Sequence, residues 1–190
     1  MMQEPPTEQP TALDPFTAEG VAAILREHGW LPQAVTPEVE AWLDRAAAYL
    51  GPRAAERAAD DPAGACAALA DLLRLVFHYD AHAILASPEA HGVLLREGAR
   101  EVLRELAYLI LDGGDVDSDR FKEIVAALKG KTGRSSRALF HPLRLALAGR
   151  AGEGELDRVI LLLDAAARLP FPVPVKGVRQ RMLEFCAALD

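Results

Sequence analysis

Thr36-Pro37-Glu38-Val39-Glu40-Ala41-Trp42-Leu43-Asp44-Arg45-Ala46-Ala47-Ala48-Tyr49-Leu50-Gly51-Pro52 is the stretch that sets the fold class. A threonine hydroxyl can accept from a free backbone N–H at a helix start, and proline fits the first helical position, where no N–H is needed. Val39, Trp42, Leu43, Ala46 and Leu50 then fall on one face at helical spacing. Gly51-Pro52 predicts a break, with a short helix following from Arg53.

The same punctuation recurs in both directions. Thr17 caps a helix through Val21, Ile24 and Leu25, with Gly29 as its stop. Asp61-Pro62 opens a longer helix carrying Leu69, Leu72, Leu73, Val76 and Phe77, and Ser87-Pro88 starts helix in one or two pieces to about Leu111. Ser118 is expected to cap a helix ending at Gly130, followed by helices from about Ser136 to Gly149, about Gly154 to Leu169, and Val178 to Leu189. Pro170-Phe171-Pro172-Val173-Pro174 is expected to be extended, because each proline disfavours helix in the residue before it. The reading is an all-α fold without strands. Asp112-Gly113-Gly114-Asp115 is the clearest internal break and divides it into helical subdomains over 17–112 and 113–190. Residues 1–16, with Pro5, Pro6, Pro10 and Pro15 and no periodicity, read as a flexible tail.

Composition agrees. Of 190 residues, 51% are hydrophobic, enough for a core, and only 6% are aromatic; alanine and leucine, strong helix formers, dominate. Two cysteines, Cys66 and Cys186, exclude a disulfide framework and an all-cysteine zinc site, and fit a reducing cytoplasm. No basic-then-apolar leader opens the chain, and apolar runs such as Leu106–Leu111 are far short of a membrane span, so a membrane partner is not expected.

The net charge of −7 argues against a nucleic-acid binder only as an average. Between Glu123 and Glu153 there is no acidic residue, while Lys129, Lys131, Arg134, Arg137, Arg144 and Arg150 supply six positive charges. The remainder holds 15 basic against 28 acidic residues, a net of −13. A basic strip on an acidic body can steer a polyanion to one face. The same pattern is also that of a solvated helix face that happens to be basic.

Other chemistries find little support. Gly130-Lys131-Thr132 copies the end of a phosphate-binding loop, but position 125 is Val125 where that loop needs glycine, and no strand leads into it. His78 and His82 are four apart, a spacing that puts two imidazoles on one helix face, yet no further ligands accompany them and Tyr79 stands where the metalloprotease motif has glutamate. Asp112, Asp115, Asp117 and Asp119 fail the calcium-loop register at Arg120 and Ala126 and read as helix-start acids. Ser135, Ser136 and the cysteines lie in no nucleophile motif. No metal or cofactor is expected, and the chain does not read as an enzyme.

One segment carries a resemblance. Arg137-Ala138-Leu139-Phe140-His141-Pro142-Leu143-Arg144-Leu145-Ala146-Leu147-Ala148-Gly149-Arg150, then Gly154-Glu155-Leu156 and Leu161-Leu162-Leu163, resembles the carboxy-terminal anticodon-binding region of bacterial glutamyl-tRNA synthetases, and Tyr49-Leu50-Gly51-Pro52-Arg53 resembles an upstream segment of it. The resemblance spans roughly residues 17–169 and is strongest after about residue 118. It implies two all-α subdomains that grip the anticodon arm of tRNA. It sets Arg53 where an anticodon-reading arginine is found, and His141, Pro142, Arg144 and the Gly149–Leu156 turn where other anticodon contacts cluster. With the basic strip, the expected RNA-binding set is Arg53, Lys129, Lys131, Arg134, Arg137, His141, Arg144, Arg150 and Leu156. Arginine forks hold phosphates or base edges, and a histidine ring stacks on an unpaired base. The alternative for Arg53 and Arg144 is a surface or interhelix salt bridge.

The departures are Ala148 for a threonine, Glu153 and Gly154 in the turn, and Asp164 in place of a helix-ending glycine. The His-x-Gly-His and Lys-x-Ser-Lys signatures of the catalytic portion are absent from this sequence. The expectation is therefore a freestanding, non-catalytic anticodon-binding domain. Its partner would be tRNA, with an aminoacyl-tRNA synthetase or another protein as the other candidate. A protein-interaction module that has kept the fold without RNA is the rival, as is a subunit assisting a separate synthetase.

Overall fold

A computed structural model describes residue 14, residues 17–58 and residues 61–189, so most of the expected tail lies outside the described residues. The described residues form ten α-helices and no strand: α1 (Ala18–Glu27), α2 (Pro37–Ala58), α3 (Pro62–Phe77), α4 (Ala81–Leu85), α5 (Pro88–Leu94), α6 (Ala99–Leu111), α7 (Ser118–Thr132), α8 (Ser136–Ala148), α9 (Glu155–Ala166) and α10 (Val178–Leu189). No helix among them is long and apolar enough to cross a membrane. The all-α class is as the periodicity predicts.

The start signals act as capping chemistry requires. Thr17 Oγ1 accepts from Gly20 N–H, Asp61 from Ala63 N–H and Ser87 from Ala90 N–H. Three local expectations fail. First, α2 does not stop at Gly51-Pro52 but runs on to Ala58. Pro52 and Ala48 are both exposed, so the Ala48 carbonyl that Pro52 leaves without a donor is open to water, while Leu50 and Ala54 are wholly buried and hold the helix together by packing. Second, the cap of α7 is Asp117, whose carboxylate takes the N–H groups of Asp119 and Arg120. That helix passes Gly130 and ends at Gly133, which adopts φ +63°, a left-handed geometry that favours glycine. Third, His78 and His82 do not share a helix face. His78 terminates α3 in an extended conformation and Asp80 caps α4 through Ala83 N–H. His78 meets the Trp30 ring edge-on, and no group of three or more potential metal ligands exists among the described residues.

The helices share one connected core. It joins α1, α2, α3 and α9 to α6, α8 and α10, and buried side chains on both sides of the Asp112–Asp115 turn belong to it. An aromatic nest of Trp30, Trp42, Phe77 and Phe171 anchors one end, with Trp42 Nε1–H donating to Leu162 O at 3.2 Å. Phe171 enters that nest from the non-helical Pro170–Pro174 segment, which gives the prolines a purpose: they carry the chain across the core without helix. Beside the carboxy-terminal end of α3 lies Arg181 of α10, fully buried. Its guanidinium donates to Leu75 O and Val76 O of α3, Leu147 O of α8, and Lys176 O, so one side chain satisfies carbonyls at two helix ends.

Candidate nucleic-acid interface

The sequence-predicted residues divide by what their charges already do. Arg144 is buried. Its Nε and Nη2 hold the two Asp157 oxygens at 2.7 and 2.8 Å, its Nη1 donates to Gly152 O at 2.5 Å, and its guanidinium lies 4.7 Å from the Phe140 ring centre. It bolts α8 to the first turn of α9 and fixes the turn between them. The interhelix salt bridge left open as an alternative is therefore what the fold builds here, and removing Arg144 would unsettle the turn itself. Leu156 is fully buried, so its side chain belongs to the core and offers no surface to a ligand.

The remaining cations are exposed or half-buried and mostly ion-paired. Arg53 pairs with Glu56 at 2.7 Å, Lys131 with Glu105 at 3.0 Å, Arg134 with Glu97 at 3.0 Å, Arg137 with Glu153 at 3.4 Å, and Arg150 with Asp71 at 3.0 Å. Lys129 is exposed and has no carboxylate within 4 Å among the described residues. Exposed pairs of this kind contribute little to stability and exchange readily for another anion. Arg134 is also seated on the backbone: its guanidinium lies over Gly98, φ +81°, where a Cβ would come within 2.6 Å of Nε. The glycine allows both the turn and the arginine's close approach.

His141 is the unusual group. Arg96 Nη1, a donor only, sits 3.0 Å from His141 Nδ1, so Nδ1 accepts and the ring proton resides on Nε2. That Nε2 is buried and has no hydrogen-bond partner among the described residues. Burial, then the positive charges of Arg96, Arg137 and Arg144, lower the imidazole pKa below its ordinary value, which keeps the ring neutral at pH 7.

Three contacts approach this cluster from α2: the Tyr49 ring carries the Arg158 guanidinium at 5.4 Å, Asp157, next to Arg158 on α9, grips Arg144 of α8, and His141 of α8 meets Arg96. Arg53 stands one helical turn beyond Tyr49 on α2, and its own partner is Glu56. Arg150 instead turns to Asp71 on α3. Tyr49, Arg96, Asp157 and Arg158 escape a reading of the sequence because each acquires its role only from a neighbour on another helix. The short range between Arg144 and Asp157 is the one cue visible in the chain.

Comparison with known proteins finds similarity over part of the chain. It is similar to "Glutamate--tRNA ligase 2" of Syntrophus aciditrophicus, 36% identical over 75 residues, covering 40% of this chain and 15% of that protein. It is similar to "Glutamate--tRNA ligase 1" of Ehrlichia ruminantium (strain Welgevonden), 37% identical over 62 residues, 33% of this chain and 14% of that protein. It is also similar to "Glutamate--tRNA ligase 1" of Roseobacter denitrificans, 38% identical over 79 residues, 37% of this chain and 18% of that protein. The chain spans less than a fifth of the length of these relatives. No family model and no solved structure matches. The class is thus an all-α protein that contains a glutamate–tRNA ligase-like region.

Proposed function

We propose that this chain is a non-catalytic RNA-binding module that takes tRNA, or an anticodon-like RNA loop, on the face formed by α8, the α8–α9 turn and the adjoining turn of α2. The observation that carries this reading is the surface around His141: a partly exposed, neutral imidazole held at Nδ1 by Arg96, with the charge of Arg137 close enough to act on the ring. A partly exposed imidazole can stack on an unpaired base, and the exposed guanidiniums of Arg96 and Arg137 suit its phosphates. The partial similarity to glutamate–tRNA ligases supports the choice of tRNA. Binding should be electrostatic in origin and fall steeply with salt. Retardation of total tRNA by the purified protein at low ionic strength, lost as salt rises, is the expected result. Absence of any salt-sensitive complex overturns the proposal.

A second reading is supported by the pairing of Arg53, Lys131, Arg134, Arg137 and Arg150 with carboxylates. A surface that neutralises itself in this way suits a protein partner, including a separate synthetase whose charging it assists. Recovery from the parent cell separates the two: RNA for the first, a synthetase or other protein for the second, with a rise in charging rate on addition if the partner is a synthetase.

A further inference from the structure

The exposed face of α6 presents Arg100, Arg104 and Tyr108 at four-residue spacing, so the three side chains stack along one side of the helix. None of them lies in the basic stretch between Glu123 and Glu153. Tyr108 is 63% exposed, far more than a tyrosine recruited to the core. It borders an open groove of about 410 Å³ between α6 and α7, whose other walls include Asp112, Arg120 and Lys131. The tertiary structure then adds cations to this face from α7 and the turn beyond it: Lys131 is drawn in by Glu105, and Arg134 by Glu97 and its seat on Gly98. Arg96, at the start of the same face, contacts His141.

The charge of this surface opposes that of the molecule. Arg96, Arg100, Arg104, Arg120, Lys131 and Arg134 stand against Glu97, Glu101, Glu105 and Asp112, a net of +2 on a chain of net −7. Among the described residues Arg100 has no carboxylate within 4 Å, and Arg104 reaches only Glu105, at 3.9 Å. A row of exposed arginines ending in an exposed aromatic beside an open groove is the combination that holds a single-stranded nucleic acid: guanidiniums track the backbone and the ring stacks a base.

We infer that α6 carries a second RNA contact track, in which Arg100 and Arg104 engage successive phosphates and Tyr108 stacks an unpaired base in the α6–α7 groove, extending the His141 site along the helix. The inference rests on the RNA-binding reading above and deepens it by naming where the strand goes. The track leaves His141 through Arg96 and runs the length of α6, with Arg134 and then Lys131 alongside.

Affinity for total tRNA, measured by fluorescence anisotropy across a salt series, tests it with the wild-type chain, Arg100→Ala/Arg104→Ala, Tyr108→Ala and Tyr108→Phe. All substituted positions are exposed, and thermal melting verifies that the fold is kept. The double arginine variant should bind about tenfold more weakly at low salt and lower the logarithmic salt slope by about 1.5, roughly the release of counterions from two phosphates. Tyr108→Ala should weaken binding about tenfold with the salt slope unchanged, and Tyr108→Phe should bind as wild type. If wild type binds tRNA and all variants bind it equally, the α6 track is wrong while the RNA-binding reading stands. If the variants instead lose a co-purifying protein and keep RNA, the face belongs to that protein and the track is again overturned. If wild type itself binds no RNA, both readings fall.

Discussion

Asp157 holds Arg144 with both carboxylate oxygens, at 2.7 and 2.8 Å, across the α8–α9 junction. The arginine side chain is only 8% exposed, so this pair is sheltered from the screening that weakens surface salt bridges. Its task is to fix the turn that carries Glu153, the partner of Arg137 at the start of α8.

Arg144→Ala should therefore cost about 3 kcal/mol, because Asp157 and Gly152 O lose their donors in a partly buried setting. In a chain of this size that lowers Tm by roughly 9 °C. Loss of RNA binding in this variant would report a disturbed turn as much as a missing contact. Replacing both partners, Arg144→Met with Asp157→Leu, should restore most of the stability in urea denaturation. A double variant as unstable as the single one would show that the pair's geometry is not what holds the junction.

Asp164 should be intolerant of its amide. Its Oδ1 accepts Val178 N–H and its Oδ2 accepts Val116 N–H, each at 2.7 Å, joining the entry to α7 and the start of α10 to α9. Asp164→Asn sets an NH₂ against one of these N–H donors and should cost about 2 kcal/mol. Faster amide hydrogen exchange at Val116 or Val178 in the variant is the expected readout; unchanged exchange at both would contradict it.

Arg181→Ala should be the most damaging single change. It strips donors from Leu75 O, Val76 O, Leu147 O and Lys176 O and leaves a cavity against the Tyr79 ring, whose centre lies 4.7 Å from the guanidinium. Burial pulls the Arg181 pKa down to about 10, yet the group stays charged at neutral pH. A loss of about 4 kcal/mol or more is expected by equilibrium unfolding. Arg181→Lys should recover little of it, since an ammonium cannot fork to three separate sites.

His141 should give the protein an acid-sensitive component. Its folded-state pKa lies below the ordinary histidine value through burial first and then the charges of Arg96, Arg137 and Arg144. The unfolded chain accordingly binds more protons on this group as pH falls below about 6.5, so stability is present above that pH and is lost on approaching the folded-state pKa. Melting curves from pH 7.5 to 5 should show wild type losing more stability than His141→Gln. Parallel curves would refute the assignment, and an NMR titration of the imidazole gives the same answer directly.

Local chemistry made much of the fold legible. The caps at Thr17, Asp61 and Ser87, and the span of α10, can be read from neighbours within one turn. Where a reading failed, as at Gly51-Pro52, a local rule met long-range packing: Leu50 and Ala54 are buried together, which outweighs the absent N–H of Pro52. The candidate site was legible only as a list of basic residues. Nothing within one turn of Arg144 shows that it faces Asp157, or that Arg134 rests on Gly98.

The sequence by itself determined the all-α class, most of the helix starts and the concentration of positive charge between Glu123 and Glu153, since periodicity, capping and charge are carried by residues a few positions apart. The tertiary structure alone decided which of those charges are spent. It buried Arg144 in an ion pair and Leu156 in the core, gave Arg134, Arg137 and Arg150 acidic partners 16 to 79 positions away, and left His141 Nε2 without one among the described residues. The reason is physical: a hydrogen bond or ion pair depends on distances of about 3 Å, and those are set by how helices pack, not by how far apart residues stand in the chain.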